Sequence, residues 1–205
     1  MRRVVCLLGS PRPKGNSAAM ADAVCQGAAA AGAGVTVFSL NALEYKGCQG
    51  CLACKKKAEA CVLKDGLTPV LAAVAACDVL VLATPVYFGE VTSQLKAFID
   101  RTYSFLTPDY ALNKAHRTRL TQGKTLVFVI AQGHPREDLF TDIFPRYAYF
   151  FNWLGFAHSR VLRECKIYHL GDAAARAGLL ERAASLGRDL ALGQGEPDWR
   201  PPVRG

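Results

Sequence analysis

The sequence predicts a doubly wound α/β fold, with one parallel sheet between layers of helices. Three observations predict it. Five short β-branched apolar runs alternate with longer helical stretches. Two of those runs, 78–83 and 124–131, are almost unbroken in hydrophobicity, as strands covered on both faces are. The 205-residue length fits one domain with a single core, and no internal repeat or linker divides it.

In chain order, residues 3–8 read as a strand ending at Gly9. Residues 16–31 read as an Ala-rich helix capped by Asn16 or Ser17 and stopped by Gly32 and Gly34. Residues 35–40 form a second strand. Residues 41–66 are rich in cysteine and lysine and show no period. A helix covers 67–76, with Pro69 tolerated in its first turn. The third strand, 78–83, leads to an amphipathic helix over 92–103, with Leu95, Phe98, Ile99 and Thr102 on one side. Residues 104–122 read as an irregular, basic surface excursion. The fourth strand, 124–131, precedes an aromatic helix over 137–154. A fifth strand at 157–162 and a helix over 172–192 complete one domain, residues 1–192, with 41–66 as an insert. The tail 193–205, with Pro197, Pro201 and Pro202, is expected to lack regular structure.

Hydrophobic residues make up 51% and charged residues 20%, which argues against disorder. The apolar start after Met1-Arg2-Arg3 is too short for a signal peptide and has no cleavage site. It reads as a buried strand, and a cytoplasmic location is expected. No apolar run is long enough for a membrane helix, so no membrane partner is expected. The net charge of +8 comes from scattered residues apart from Lys55-Lys56-Lys57. A solvated basic surface explains it better than nucleic-acid binding. An acidic redox partner or an anionic cofactor is an intermediate reading.

Ligands of such sheets bind beyond the carboxyl ends of the strands, where strand order reverses. The loops to inspect are therefore 9–17, 84–90 and 132–136. The first leads straight into a helix N-terminus, a natural anion site. Gly9 and Gly15 permit tight backbone there, Ser10, Asn16 and Ser17 offer donors, and Arg12 and Lys14 add charge. The spacing fails a P-loop, which needs four residues between its glycines and then Lys. It also fails the G-x-G-x-x-G dinucleotide fingerprint. A mononucleotide phosphate remains, against a plain strand–turn–helix cap. The second loop, Thr84-Pro85-Val86-Tyr87-Phe88-Gly89-Glu90, is apolar and aromatic where polar loops are usual. It suits a flat ring, an oligomer interface, or both.

Together, G-S-P-R-x-x-G-N-S, T-P-V-Y-F-G and the following Ser93-Gln94-Leu95-Lys96-Ala97-Phe98-Ile99-Asp100-Arg101 resemble one family. It is the NADPH-dependent FMN reductase and iron–sulfur flavoprotein branch of the flavodoxin-like superfamily. The resemblance covers residues 3–105. It implies a flavodoxin-like five-stranded parallel sheet in the order 2-1-3-4-5 with helices on both faces. It implies that Ser10, Arg12, Asn16 and Ser17 hold the FMN phosphate. Pro85, Val86, Tyr87, Phe88 and Gly89 would line the ribityl chain and ring, and Gln132, Gly133 and His134 the far side. Gln132 departs from the small residues expected there.

Of eight cysteines, Cys6, Cys25 and Cys77 sit in apolar runs and read as core residues, while Cys165 has no assigned role. Cys48, Cys51, Cys54 and Cys61 read C-x2-C-x2-C-x6-C. A compact C-x2-C-x2-C run presents three thiolates to three corners of a [4Fe–4S] cube, and a fourth closes the site. Zinc sites more often pair two separated C-x2-C units. Free or disulfide-forming thiols are the third reading. Gly47 and Gly50 would free the loop backbone, and the lysines at 55–57 would offset thiolate charge. The motif resembles that of iron–sulfur flavoproteins, which implies a cluster near a neighbouring subunit's FMN.

The expected function is electron transfer among NAD(P)H or a reduced carrier, FMN and a cluster. A cluster-free flavin, quinone or nitro reductase is the alternative, and a zinc-bearing nucleic-acid module the remoter one. No general acid–base pair is expected. The partner is a small-molecule donor or acceptor, or an acidic ferredoxin-like protein. The aromatic stretch 144–156 exceeds what one helix buries, so an oligomer is expected, and the family resemblance implies a homodimer or homotetramer.

Overall fold

Alternating apolar strands and helices organise the computed structural model, which describes residues 1–112 and 114–199. The elements are β1 (Arg3–Leu8), α1 (Asn16–Ala30), β2 (Gly34–Ser39), α2 (Ala53–Lys56), α3 (Leu67–Ala76), β3 (Val79–Pro85) and α4 (Ser93–Arg101). They continue as β4 (Lys124–Ala131), α5 (Ile143–Trp153), β5 (Phe156–Glu164), α6 (Asp172–Ala175) and α7 (Leu179–Leu192). The sheet is parallel throughout, in the order β2-β1-β3-β4-β5.

Strand side chains alternate between two cores. Val5, Leu7, Leu80, Leu82, Leu126 and Phe128 pack under α3, α4 and α5. Val4, Cys6, Val79, Val81, Val127 and Val129 pack under α1 and α7. Burial on both faces is why these strands read as continuous apolar runs. The helices α1 and α7 cross at two glycines. A Cβ on Gly27 would lie 2.0 Å from the Ala184 carbonyl oxygen, and one on Gly187 2.0 Å from that of Val24.

Several boundaries differ from the sequence expectation. The aromatic helix begins at Ile143, because Phe140 takes a left-handed φ of 61° and Pro145 fits only a first turn. The last helix is two, broken at Gly178 with φ 72°. The N-cap of α1 is Gly15, without a side-chain bond, instead of Asn16 or Ser17. Thr92 caps α4 by accepting from the Leu95 N–H at 3.3 Å, and 102–105 tighten into a 3-10 turn. The excursion after that turn folds back through a Leu106–Thr118 bridge and buries Phe105, Leu106 and Leu120.

The described part of the tail is also more ordered than expected. Trp199 bridges Ser159, and the Val161 N–H donates to Asp198 at 2.7 Å, so the tail covers the β5 edge. Pro201 and Pro202 lie outside the described residues. Cys6, Cys25 and Cys77 are buried as expected, and so is Cys165. A hydrogen bond with Cys25, together with burial, pushes the Cys6 thiol well above its usual range. Burial pushes the Cys77 thiol up to about 11. Both therefore stay protonated and unreactive. Among the described residues no helix is long and apolar enough to cross a membrane.

Candidate functional site

The order of strands reverses between β1 and β3, and there a cavity of about 210 Å³ opens at their carboxyl ends. Its two ends differ in chemistry. At one end lie Ser10, Arg12, Gly15, Asn16 and Ser17. The first turn of α1 has neither a side-chain cap nor an acidic residue, so its N–H groups and the positive end of its dipole remain open. Ser10 and Ser17 are buried beside it. Ser10 Oγ accepts from the Arg12 N–H at 3.1 Å, which leaves the hydroxyl as a donor.

Asn16 does something else. Its Nδ2 donates to the carbonyls of Ile167 (3.1 Å) and His169 (2.8 Å), and its Oδ1 accepts from the Ala173 N–H at 3.1 Å. The side chain braces α1 against the loop after β5 and keeps no donor for an anion.

At the other end the lining is largely apolar. Pro85, Val86 and Tyr87 come from the end of β3, and Ala131, Gly133 and His134 follow β4. Ile167, Tyr168 and Leu170, from the loop after β5, form a wall that the sequence reading did not include. The signal was available, because the carboxyl-edge rule applies to the loop after every strand, and Tyr168-His169-Leu170 is another apolar loop on that edge.

Phe88 and Gly89 do not line the cavity. They occupy the centre of a tight turn in which Tyr87 and Glu90 exchange N–H···O bonds of 2.9 and 3.0 Å. Their φ angles, 49° and 79°, are both left-handed, and the Phe88 ring is fully exposed. Glu90 anchors this turn to α5 by accepting from Arg146 Nη2 at 2.8 Å and from the Tyr147 hydroxyl at 3.1 Å. Burial and the Glu90 carboxylate push the Tyr147 hydroxyl far above its usual value.

Gln132 is fully buried and also stays out of the cavity. Its Nε2 donates to the carbonyls of His134 (3.0 Å) and Arg136 (2.7 Å), and its Oε1 accepts from Arg163 Nη2. A long polar residue at this place holds the 132–136 loop in shape, which explains the departure from small residues. His134 belongs to a surface turn, where its Nδ1 accepts from the Arg136 N–H at 3.1 Å.

The four clustered cysteines line one small cavity of about 30 Å³, with Leu63, Arg101 and Tyr103. Cys48 and Cys51 are exposed, while Cys54 and Cys61 are half-buried. Among the described residues no three side chains of ligand type converge on a single metal ion. A zinc ion, with bonds of about 2.3 Å, needs such convergence. A cubane, with each thiolate on its own corner iron, spreads its sulphurs wider.

One cation, Arg101, lines this cavity, and Lys55 and Arg119 lie near Cys54 behind it. Lys55 Nζ donates to the carbonyls of Tyr103 and Leu106 at 2.6 Å each and lies 4.1 Å above the Tyr103 ring. Arg119 Nη2 donates to the Cys54 carbonyl at 3.0 Å. The Arg101 side chain, wholly buried, pairs with Asp65 at 2.8 Å and donates to the Lys46 carbonyl at 2.8 Å. Burial opposes the charge of Arg101, but Asp65 and the Cys61 sulphur outweigh it and push its pKa up. Burial also opposes ionisation of Asp65, yet Arg101 and the N–H groups of Lys46 and Leu67 hold that carboxyl below its usual range. Gly50 takes a left-handed φ of 62° between Cys48 and Cys51.

A third cavity, about 580 Å³, lies between α4, α5 and the cysteine loop, where Tyr103, Tyr110, Phe150 and Trp153 form its walls. Tyr147 and Phe151 of α5 are buried, while Phe150 remains half-exposed.

The chemistry of both sites is specific enough to test for fit. An uncapped helix N-terminus with two buried hydroxyls suits a phosphate, and the apolar end of the same cavity suits a planar ring. Four thiols lining one cavity beside a buried guanidinium suit an iron–sulfur cluster.

A sequence model of the NADPH-dependent FMN reductase family matches residues 2–141. An iron–sulfur flavoprotein of Archaeoglobus fulgidus is 33% identical over 137 residues, 66% of this chain and 58% of that protein. Another, of Methanocaldococcus jannaschii, is 34% identical over 100 residues, 49% of this chain and 51% of that protein. The chain thus spans little more than half the length of these curated relatives. Among solved structures, an NAD(P)H:quinone oxidoreductase from Methanothermobacter marburgensis superposes with a TM-score of 0.68 at 24% identity, covering 92% of this chain and 96% of that one. An FMN-dependent NADH-azoreductase from Bacillus anthracis, in complex with FMN, gives 0.69 at 13% identity, covering 92% and 99%. These two likenesses concern the fold, and they match the parallel 2-1-3-4-5 sheet.

Proposed function

This chain belongs to the NADPH-dependent FMN reductase family, and we propose that it is an FMN-dependent oxidoreductase whose electrons pass between NAD(P)H or a reduced carrier, FMN and a [4Fe–4S] cluster. One observation carries the flavin part: a single cavity at the strand-order reversal is cationic and donor-rich at one end and apolar at the other. Ser10, Ser17 and the first N–H groups of α1 would hold the phosphate, with Arg12 adding charge. Pro85, Val86 and Tyr87 would face one side of the ring, and Gly133, Tyr168 and Leu170 the other. Asn16 and Gln132 would act by holding the loops, through the bonds described above. FMN supplies the two-electron to one-electron conversion.

Four cysteines lining one cavity beside a buried guanidinium support the cluster, as do the names of the curated relatives. A cluster would exchange single electrons with the flavin. The exposure of Cys48 and Cys51 favours a second reading, a cluster-free flavin or quinone reductase. Membership of this family gives no support to a zinc-bearing nucleic-acid module.

Anaerobic protein, quantified for FMN, iron and acid-labile sulfide on one sample, tests the reading. FMN near one per chain with four irons is expected. Protein that binds no added FMN overturns the flavin assignment. Cys51→Ala should lose iron and keep flavin, and unchanged iron in that variant excludes the cluster assignment. The half-exposed aromatic face of α5 favours a homodimer or homotetramer, and a cytoplasmic location belongs to the same reading. An acidic redox protein would suit the +8 charge.

A further inference from the structure

Arg101 ends α4 inside the wall of the cysteine cavity. Its side chain is 0% exposed. A guanidinium has five N–H donors, and four have acceptors here. Nη1 donates to the Lys46 carbonyl and Asp65 Oδ2, both at 2.8 Å. Nη2 donates to the Leu63 carbonyl at 3.4 Å and Asp65 Oδ1 at 3.3 Å. Lys46, Leu63 and Asp65 flank the segment that carries Cys48, Cys51, Cys54 and Cys61, so one side chain ties together both ends of that loop. The fifth donor, Nε–H, is buried without a partner. A buried, charged donor left unsatisfied is costly and calls for an acceptor. The cavity beside it offers sulphur, with Cys61 close at hand.

We propose that Arg101 is a positioning residue for the cluster: it clasps the cysteine loop at both ends and donates its Nε–H to cluster-side sulphur, thereby raising the cluster's reduction potential. The inference rests on the cluster reading above. A reduced cluster carries one more negative charge than an oxidised one. A cation and a hydrogen bond at its sulphur favour the reduced form, and in a low-dielectric wall that preference is strong. Asp65 balances the charge of Arg101 only in part, because it faces the opposite edge of the guanidinium and is itself 17% exposed.

The test uses the full chain, FMN-loaded and reconstituted with iron and sulfide without oxygen, as wild type, Arg101→Lys and Arg101→Gln. Mediated reductive titration followed by EPR reads the cluster, and the visible spectrum reads the flavin as an internal control. In Arg101→Gln the reduced-to-oxidised equilibrium should shift at least tenfold toward oxidised, about 59 mV for one electron. Arg101→Lys should recover part of that shift, and flavin content should not change. Arg101→Gln holding its cluster at the wild-type potential overturns the proposal.

If the Gln variant does not assemble a cluster, wild-type protein carrying [15N]arginine decides. Pulsed EPR of its reduced cluster should show a guanidinium nitrogen coupling that persists in Arg119→Lys, and absence of that coupling overturns the proposal. Wild-type protein without iron or sulfide defeats the cluster reading itself and this inference with it. That result is distinct from a loaded wild type in which Arg101 has no effect.

Discussion

Phe88 holds a left-handed φ of 49° at the tip of the turn after β3, with its ring fully in solvent. A bulky residue there costs on the order of 1–3 kcal/mol, which glycine avoids at a smaller entropic cost. Phe88→Gly should therefore raise the thermal midpoint by about 2–4 °C, the shift expected for about 1 kcal/mol in a chain of this size. A melting curve checks it, and an unchanged or lower midpoint would show that the exposed ring is held by contacts outside the single chain. Ser17 makes a different prediction. Its hydroxyl is buried at the uncapped start of α1. Ser17→Ala should weaken FMN about tenfold, or about 1.4 kcal/mol, by fluorescence titration.

At the scale of elements, the cysteine loop is held by the Arg101–Asp65 pair. The Asp65 carboxyl lies below its ordinary value of about 3.9. Its contribution to stability is therefore complete above that pH and fades as pH falls through the lowered value. Asp65→Asn should cost about 3 kcal/mol at pH 7, because it strands a buried guanidinium. The variant should also lose less stability than wild type between pH 5 and pH 3. Urea melts at pH 7, 5 and 3 measure both effects, and parallel acid losses in the two proteins would sink the assignment. The α1–α7 crossing makes a simpler prediction. A Cβ on Gly27 would meet a backbone oxygen at 2.0 Å, so Gly27→Ala should destabilise by about 3 kcal/mol in urea melts, the upper end for overpacking.

The whole molecule places two chemically distinct cavities at the carboxyl edge of one sheet and at the C-terminal end of α4. Both borrow residues far apart in sequence: Asn16 reaches the loop after β5, and Arg101 reaches both ends of the cysteine loop. Sheet class, strand number, the glycine-serine loop before α1 and the cysteine spacing were legible in the chain because they rest on local patterns. Apolar runs, a glycine-serine loop before a helix and a C-x2-C-x2-C spacing all survive without tertiary context. The start of α5 at Ile143 and the break at Gly178 were not legible. Each depends on one residue adopting a left-handed φ that its neighbours impose.

Sequence alone determined that this is a parallel doubly wound fold with a glycine-serine first loop leading into a helix N-terminus, an apolar third-strand loop and a four-cysteine run. Hydrophobic period and helix-terminus chemistry act over a few residues, so they can be read along the chain. Only the tertiary structure decided which polar side chains remain available. The side chains of Asn16 and Gln132 brace loops, because their hydrogen bonds reach Ile167, His169 and Ala173 in one case and His134, Arg136 and Arg163 in the other. Only folding showed Arg101, on an ordinary amphipathic helix, to be wholly buried against the cysteines with one donor left over. Hydrogen-bond satisfaction belongs to packed groups, and packing is a property of the fold.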